Sequence, residues 1–91
     1  METADDRRLD GNAAAGLLSE ALGREATGGM ARCGDCEVER PVGALLVYVH
    51  GMGTIFYCPG CAQVMIRIAH LREEVVLDMR GTRLLRLRVD G

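Results

Sequence analysis

The sequence has no Trp, one Phe and two Tyr, so the large rings that anchor many cores are nearly absent. Its core has to come from Leu, Val, Ala, Ile and five Met. Lysine is missing as well, since all eleven basic residues are Arg. That skew fits a high-GC coding bias more simply than selection for bidentate anion recognition. There is no basic excess either: the formal net charge is −2, which argues against a generic polyanion binder. No apolar run approaches the roughly 20 residues of a membrane helix, and residues 1–30 hold no basic start followed by a long apolar stretch. These absences lead to the expectation of a cytoplasmic chain with no membrane partner.

At 91 residues the chain is expected to form one domain, of a size at which an apolar core supplies only a few kcal/mol. It needs a staple, and four cysteines in two close pairs offer one. The pattern is Cys33-Gly-Asp-Cys36, then 21 residues, then Cys58-Pro-Gly-Cys61. In a reducing compartment such pairs read as metal ligands, whereas disulfides belong mainly to exported chains. Zinc takes four thiolates at the corners of a tetrahedron at about 2.3 Å, and each Cys-x-x-Cys turn supplies two from one tight loop. Gly34 and Gly60 are expected to relieve crowding around the sulfurs, and backbone N–H groups in each turn can point at them.

A filled shell of four thiolates leaves no open position for water or substrate, so the expected cofactor is one structural Zn2+ held by Cys33, Cys36, Cys58 and Cys61. Iron in a rubredoxin-like site uses the same two turns and stays open as an alternative. A redox dithiol would want a helix start beside it, and strand-like sequence flanks both pairs. His50, at a hairpin tip, and His70, past a strand, read as solvated or capping residues. Tyr48 and Tyr57 read as packed on hairpin faces.

Residues 1–9 are polar and expected to fray. Over residues 10–23 the apolar positions Ala14, Leu17, Leu18, Ala21 and Leu22 form one helical stripe, with Asp10 or Asn12 as cap and Gly23 as terminator. Beyond Met30 the period turns to alternation, and 42–50 with 54–57 form a hairpin around Gly51-Met52-Gly53. Residues 37–41 provide slack ahead of it, within a ribbon over 30–70. Strands follow at 64–69, 75–80 and 84–89, the last two as a C-terminal hairpin over 74–90 that pairs Leu77 with Leu87 and Asp78 with Arg86. Inward faces are then Val75, Leu77, Met79 and Leu85, Leu87, Val89.

The outward face of that hairpin would carry Arg80, Arg86 and Arg88, with Arg83 in the turn and Arg67 on a neighbouring strand. Arginines on a rigid sheet can position a phosphate backbone without reading bases, which makes Arg67, Arg80, Arg86 and Arg88 candidate nucleic-acid contacts. The opposing reading is a solvated face that protects an edge strand, with Asp78 neutralising Arg86.

Three stretches carry a resemblance: Leu-Asp-Gly-Asn-Ala-Ala-Ala-Gly at 9–16, the two cysteine turns with the Val-Tyr hairpin between them, and Leu-Asp-Met-Arg-Gly at 77–81. Across most of 9–89 the chain resembles a family of small uncharacterised zinc-ribbon proteins of high-GC bacteria. The resemblance implies zinc at the four cysteines and a design of leading helix, ribbon and closing strands, and it implies no activity. Glu37 departs from it, standing where such ribbons often place Gly.

The expected fold is therefore α+β, an N-terminal helix packed on an antiparallel β-sheet that contains a four-cysteine zinc ribbon. The expected function is a binding module that presents a ribbon surface to nucleic acid or to the transcription or translation machinery. The alternative is a protein–protein adaptor or a small non-catalytic subunit of an enzyme complex. No paired carboxylates with a partner base, no nucleophile beside a His and no phosphate-cradling loop point to catalysis or to a small-molecule substrate. An exposed final strand leaves a homodimer open.

Overall fold

The computed structural model describes residues 7–9, 11–23, 26, 28–51 and 53–88, with the backbone alone for 7–9 and 11–15. The described residues form a small α+β unit, mostly antiparallel strand with one short α-helix and a 3-10 turn at Val42–Ala44. The strands are β1 (Arg7–Leu9), β2 (Met30–Cys33), β3 (Glu39–Pro41), β4 (Leu46–His50), β5 (Gly53–Tyr57), β6 (Val64–His70), β7 (Val75–Asp78) and β8 (Thr82–Arg86). The helix α1 spans Gly11–Leu22. Of its predicted stripe, Leu18 is fully buried and Ala21 and Leu22 pack against the core. Gly23 ends the helix at φ +70, its N–H donating to the carbonyls of Ser19 and Glu20 at 2.9 and 3.3 Å. The proposed cap Asp10 and the side chains of Asn12 and Ala14 lie outside the described residues. No helix among the described residues is long and apolar enough to cross a membrane.

Instead of one sheet the described residues form two, a five-stranded sheet in the order β1-β4-β5-β6-β7 and a three-stranded sheet in the order β3-β2-β8. In the larger sheet the alternation of β4 and β5 places Val47, Thr54 and Phe56 on one buried face. Val47 stands opposite Phe56, which stands opposite Ile66, so three strands meet in one apolar row around the only Phe. On β6 the neighbours Met65 and Ile66 are both buried, which strict alternation forbids. The ladder accounts for it, because Phe56 pairs with Ile66 and Tyr57 with Val64, leaving Met65 as the extra residue of a β-bulge.

Four expectations are corrected here. The fraying expected of residues 1–9 does not hold at Arg7–Leu9, which is β1, paired with the free edge of β4 so that Arg7 faces Val49 and Leu9 faces Val47. Residues 42–44, expected to be extended, form a 3-10 turn after Pro41 in which Leu45 N–H donates to the Val42 carbonyl at 3.2 Å, so the paired strand begins at Leu46. Residues 37–41 are not slack: Glu39–Pro41 is β3, paired with β2 so that Met30 faces Pro41, Ala31 faces Arg40 and Arg32 faces Glu39. Among the described residues, the two strands of the C-terminal hairpin expected over 74–90 do not pair with each other. β7 pairs with β6, setting Asp78 opposite Arg67 and Leu77 opposite Ile68, and β8 pairs with β2, setting Arg86 opposite Met30. Alternation specifies which side chains turn inward, and Leu77, Met79, Leu85 and Leu87 do pack on the core. It carries no information on which strand is the neighbour. Val75 is exposed, and Val89 lies outside the described residues.

Candidate metal centre

Each Cys-x-x-Cys turn is the tip of an antiparallel pair, the first joining β2 to β3 and the second joining β5 to β6. The two turns close in the same way. Glu37 N–H donates to the Cys33 carbonyl at 3.1 Å, and Ala62 N–H donates to the Cys58 carbonyl at 2.8 Å. Cys33 N–H reaches the Val38 carbonyl at 3.1 Å, and Cys58 N–H reaches the Gln63 carbonyl at 2.9 Å. Asp35 N–H points at Cys33 Sγ at 3.3 Å, and Gly60 N–H at Cys58 Sγ at 3.4 Å. Such N–H groups spread the charge of a thiolate.

These turns bring all four predicted ligands together. Cys33 Sγ lies 3.6 Å from Cys61 Sγ, Cys36 Sγ lies 3.7 Å from Cys58 Sγ, and the four sulfurs all lie within 4.8 Å of one another. Sulfurs at the corners of a tetrahedron with metal–sulfur bonds of about 2.3 Å stand about 3.8 Å apart, so the cluster has the dimensions of a tetrathiolate site. A disulfide would need about 2.05 Å, and all four thiols are free. Cys33 and Cys58 are buried while Cys36 and Cys61 are half-buried. The four residues can hold a metal ion.

The thiols also feel one another. Burial pushes the Cys58 thiol up, but the N–H groups of Cys61 and Gly60 and hydrogen bonds from the Cys36 and Cys61 thiols outweigh it and bring Cys58 down from 9.0 to about 6. At Cys61 the Gln63 N–H pulls the other way from burial and the three neighbouring thiols, which together push it up to about 12. Four sulfurs this close resist losing their protons together unless a cation joins them.

The glycines act differently from expectation. A Cβ at Gly60 would sit 3.7 Å from Cys58 Sγ, an ordinary contact, but would collide with Arg40 Nη2. At Gly34 a Cβ would lie 3.1 Å from the Gly81 carbonyl oxygen, so the crowding there comes from the turn between β7 and β8 and not from sulfur. The residue after each pair has left-handed backbone, Glu37 at φ 65 and Ala62 at φ 66. The departure noted at Glu37 thus falls on a position that favours glycine, and Ala62 repeats it. Repetition of the turn in sequence was the available signal for Ala62.

The model of a family of unknown function, DUF6510, matches residues 3–90. The chain belongs to this family. No curated protein and no solved structure matches it.

In this DUF6510 member the four candidate arginines do not share one hairpin face. Arg67 is exposed on β6 opposite Asp78, and Arg80 grips Asp78 through Nε at 3.0 Å and Nη2 at 2.7 Å. The Arg80 side chain and backbone N–H hold the Asp78 carboxyl down at about 2, and Asp78 in turn raises Arg80. Arg86 belongs to the other sheet, where its Nε meets Glu39 Oε2 at 2.7 Å. Glu39 also takes Arg32 Nη2 at 3.3 Å, and its carboxyl lies below the usual range, chiefly because of Arg86. Arg88 is exposed beyond β8, and Arg83 pairs with Glu37 at 2.8 Å. The expected partner of Asp78, Arg86, is replaced by Arg80 because β7 and β8 lie in different sheets.

Proposed function

We propose that Cys33, Cys36, Cys58 and Cys61 hold one structural zinc ion in a zinc-ribbon arrangement, and that the domain is a non-catalytic module that docks on another macromolecule. The observation that carries the metal reading is the four-sulfur cluster, with edges of 3.6 and 3.7 Å and two backbone-closed turns. Zinc suits it because a d10 ion accepts the tetrahedron imposed by the two turns and adds no redox chemistry. A bound ion would replace the thiol protons and tie the β2–β3 pair to the β5–β6 pair. The leading helix packed on the sheet belongs to the same reading, supported by Leu18 buried in one cluster with Val42 and Val47.

For the partner, a protein is favoured over nucleic acid by a specific observation. Arg80 and Arg86 are already engaged by Asp78 and Glu39, which leaves fewer free cations for phosphates. On the outer face of the larger sheet, beside the second cysteine turn, Leu46, Tyr48, His50, Tyr57 and Ala62 line an open, largely apolar hollow of about 400 Å3. Tyr48 and Tyr57 meet edge to face there, with centroids 5.9 Å apart. An adaptor or a small subunit of an enzyme complex would use such a face.

Mass spectrometry under non-denaturing conditions should find one zinc per chain, and a metal-free folded chain would refute the metal reading. Recovery of tagged chain from its own cells should yield a protein partner lost in Tyr48→Ala. Retention of DNA or RNA that weakens steeply with salt and with Arg67→Ala, Arg88→Ala would favour the nucleic-acid reading instead.

A further inference from the structure

Among the described residues, Arg40 is a cation without a carboxylate. Its residue is half-buried and its Nε is fully shielded with no hydrogen-bond partner. The ion pairs of the described residues join Arg32 and Arg86 to Glu39, Arg80 to Asp78 and Arg83 to Glu37, and none involves Arg40. Its strand explains the isolation. Successive residues of a strand face opposite sides, so Glu39 serves Arg32 and Arg86 on one face while Arg40 turns to the other. Arg40 stands opposite Ala31, and Ala31 and Cys33 share a face of β2, both fully buried. Arg40 therefore extends over the face that carries the first metal ligand.

The end of the side chain is located by the second turn. A Cβ on Gly60 would run into Arg40 Nη2, would lie 3.4 Å from Arg40 Cζ and would lie 3.7 Å from Cys58 Sγ. Guanidinium and sulfur thus flank the same point, from which Gly60 keeps side-chain atoms away. One charged group reaches from the β3 side of the first turn to the backbone of the second.

We propose that Arg40 is the counter-charge of the metal centre, a positioning residue that favours the loaded over the empty state. This rests on the zinc reading above. Four thiolates around a dication carry a fixed double negative charge. A fixed cation at the edge of that cluster stabilises the loaded form and draws electron density from the thiolates. A half-buried guanidinium is poorly hydrated for its charge, and the loaded cluster supplies the missing partner.

The test uses the full chain purified with zinc, alongside Arg40→Met, Arg40→Lys and Gly60→Ala. Zinc affinity is read by competition with a chromogenic chelator, and thiolate nucleophilicity by the rate at which iodoacetamide alkylates the loaded protein. Cobalt substitution reports whether the four-sulfur site is intact. Arg40→Met should still take one metal ion with an unchanged cobalt spectrum, yet bind zinc about tenfold more weakly and alkylate faster, in the range typical of outer-sphere partners. Arg40→Lys keeps the charge and should stay within about threefold of the parent by the same reasoning. Gly60→Ala displaces the guanidinium and should shift both readouts in the direction of Arg40→Met. Parent-like affinity and alkylation in Arg40→Met would overturn the proposal, as would Arg40→Lys matching Arg40→Met, since packing and not charge would then be the cause. If Arg40→Met does not fold, the Lys and Gly60→Ala variants decide. Absence of metal from the parent protein would instead remove the zinc reading beneath it.

Discussion

Gly34 N–H, in the first cysteine turn, donates to the Gly81 carbonyl at 2.8 Å, joining one half of the four-sulfur cluster to the turn that carries the chain from β7 to β8. The far side of Gly81 is as close. A Cβ there would strike the Val64 carbonyl oxygen and approach Val64 C at 2.9 Å and Met65 Cα at 3.0 Å. Gly81 is thus clasped between the first turn and the start of β6, beside the bulge at Met65. Thr82 Oγ1, which donates to the Met65 carbonyl at 2.8 Å, adds to the clasp.

Gly81→Ala should therefore cost at least about 3 kcal/mol, the upper part of the range for overpacking, because backbone atoms cannot rotate aside as a flexible side chain can. Urea unfolding of the purified protein measures it. Gly60→Ala meets only the end of Arg40 and should cost far less, so equal losses at the two glycines would contradict the assignment.

Removing the metal should unfold one part of the chain before the other. The cysteine turns and the β2–β3 pair hold few large apolar residues, whereas the row Val47, Phe56 and Ile66 is fully buried without help from sulfur. With a strong chelator, amides of residues 30–41 and 58–63 should lose exchange protection while those of β4 and β5 keep more of it. Acid should have the same effect, because protons compete with the ion for the thiolates. An exchange pattern unchanged by the chelator would argue against a metal staple.

Ala62→Gly should stabilise the protein by about 0.5–1 kcal/mol, since relief of the left-handed strain exceeds the backbone entropy that glycine adds. Glu37→Gly should yield less, because it also deletes the ion pair from Glu37 to Arg83 at 2.8 Å. Thermal midpoints of the loaded proteins rank the two.

Phe56→Ala should cost about 3–5 kcal/mol, the usual range for emptying a fully buried aromatic site. Phe56 lies in the central strand of the five and is the largest of the fully buried side chains. A loss below about 1 kcal/mol in urea unfolding would mean that the row around it collapses, against the close packing expected of such a core.

The four-cysteine cluster was legible in the sequence because it depends on local spacing: two Cys-x-x-Cys turns present two sulfurs each, whatever surrounds them. The same holds for the helix over Gly11–Leu22, whose stripe and terminal Gly23 act within a few residues, and for the hairpin of β4 and β5 around Gly51, at φ +56. Arg40 and Gly81 were not legible. What makes each distinctive is a contact with residues far along the chain, Gly60 for one and Val64 with Gly34 for the other.

By itself the sequence determined which four cysteines cluster, the helix over Gly11–Leu22, the hairpin of β4 and β5, and that Leu77, Met79, Leu85 and Leu87 turn toward a core. Only the tertiary structure decided that β7 joins β6 while β8 crosses to β2, and so that Arg80 and Arg86 answer to different carboxylates. The physical reason is that side-chain alternation encodes a face and leaves the neighbour open. The neighbour was chosen where backbones had to meet, at Gly34, Gly81 and Val64, around the closing of the four-sulfur cluster.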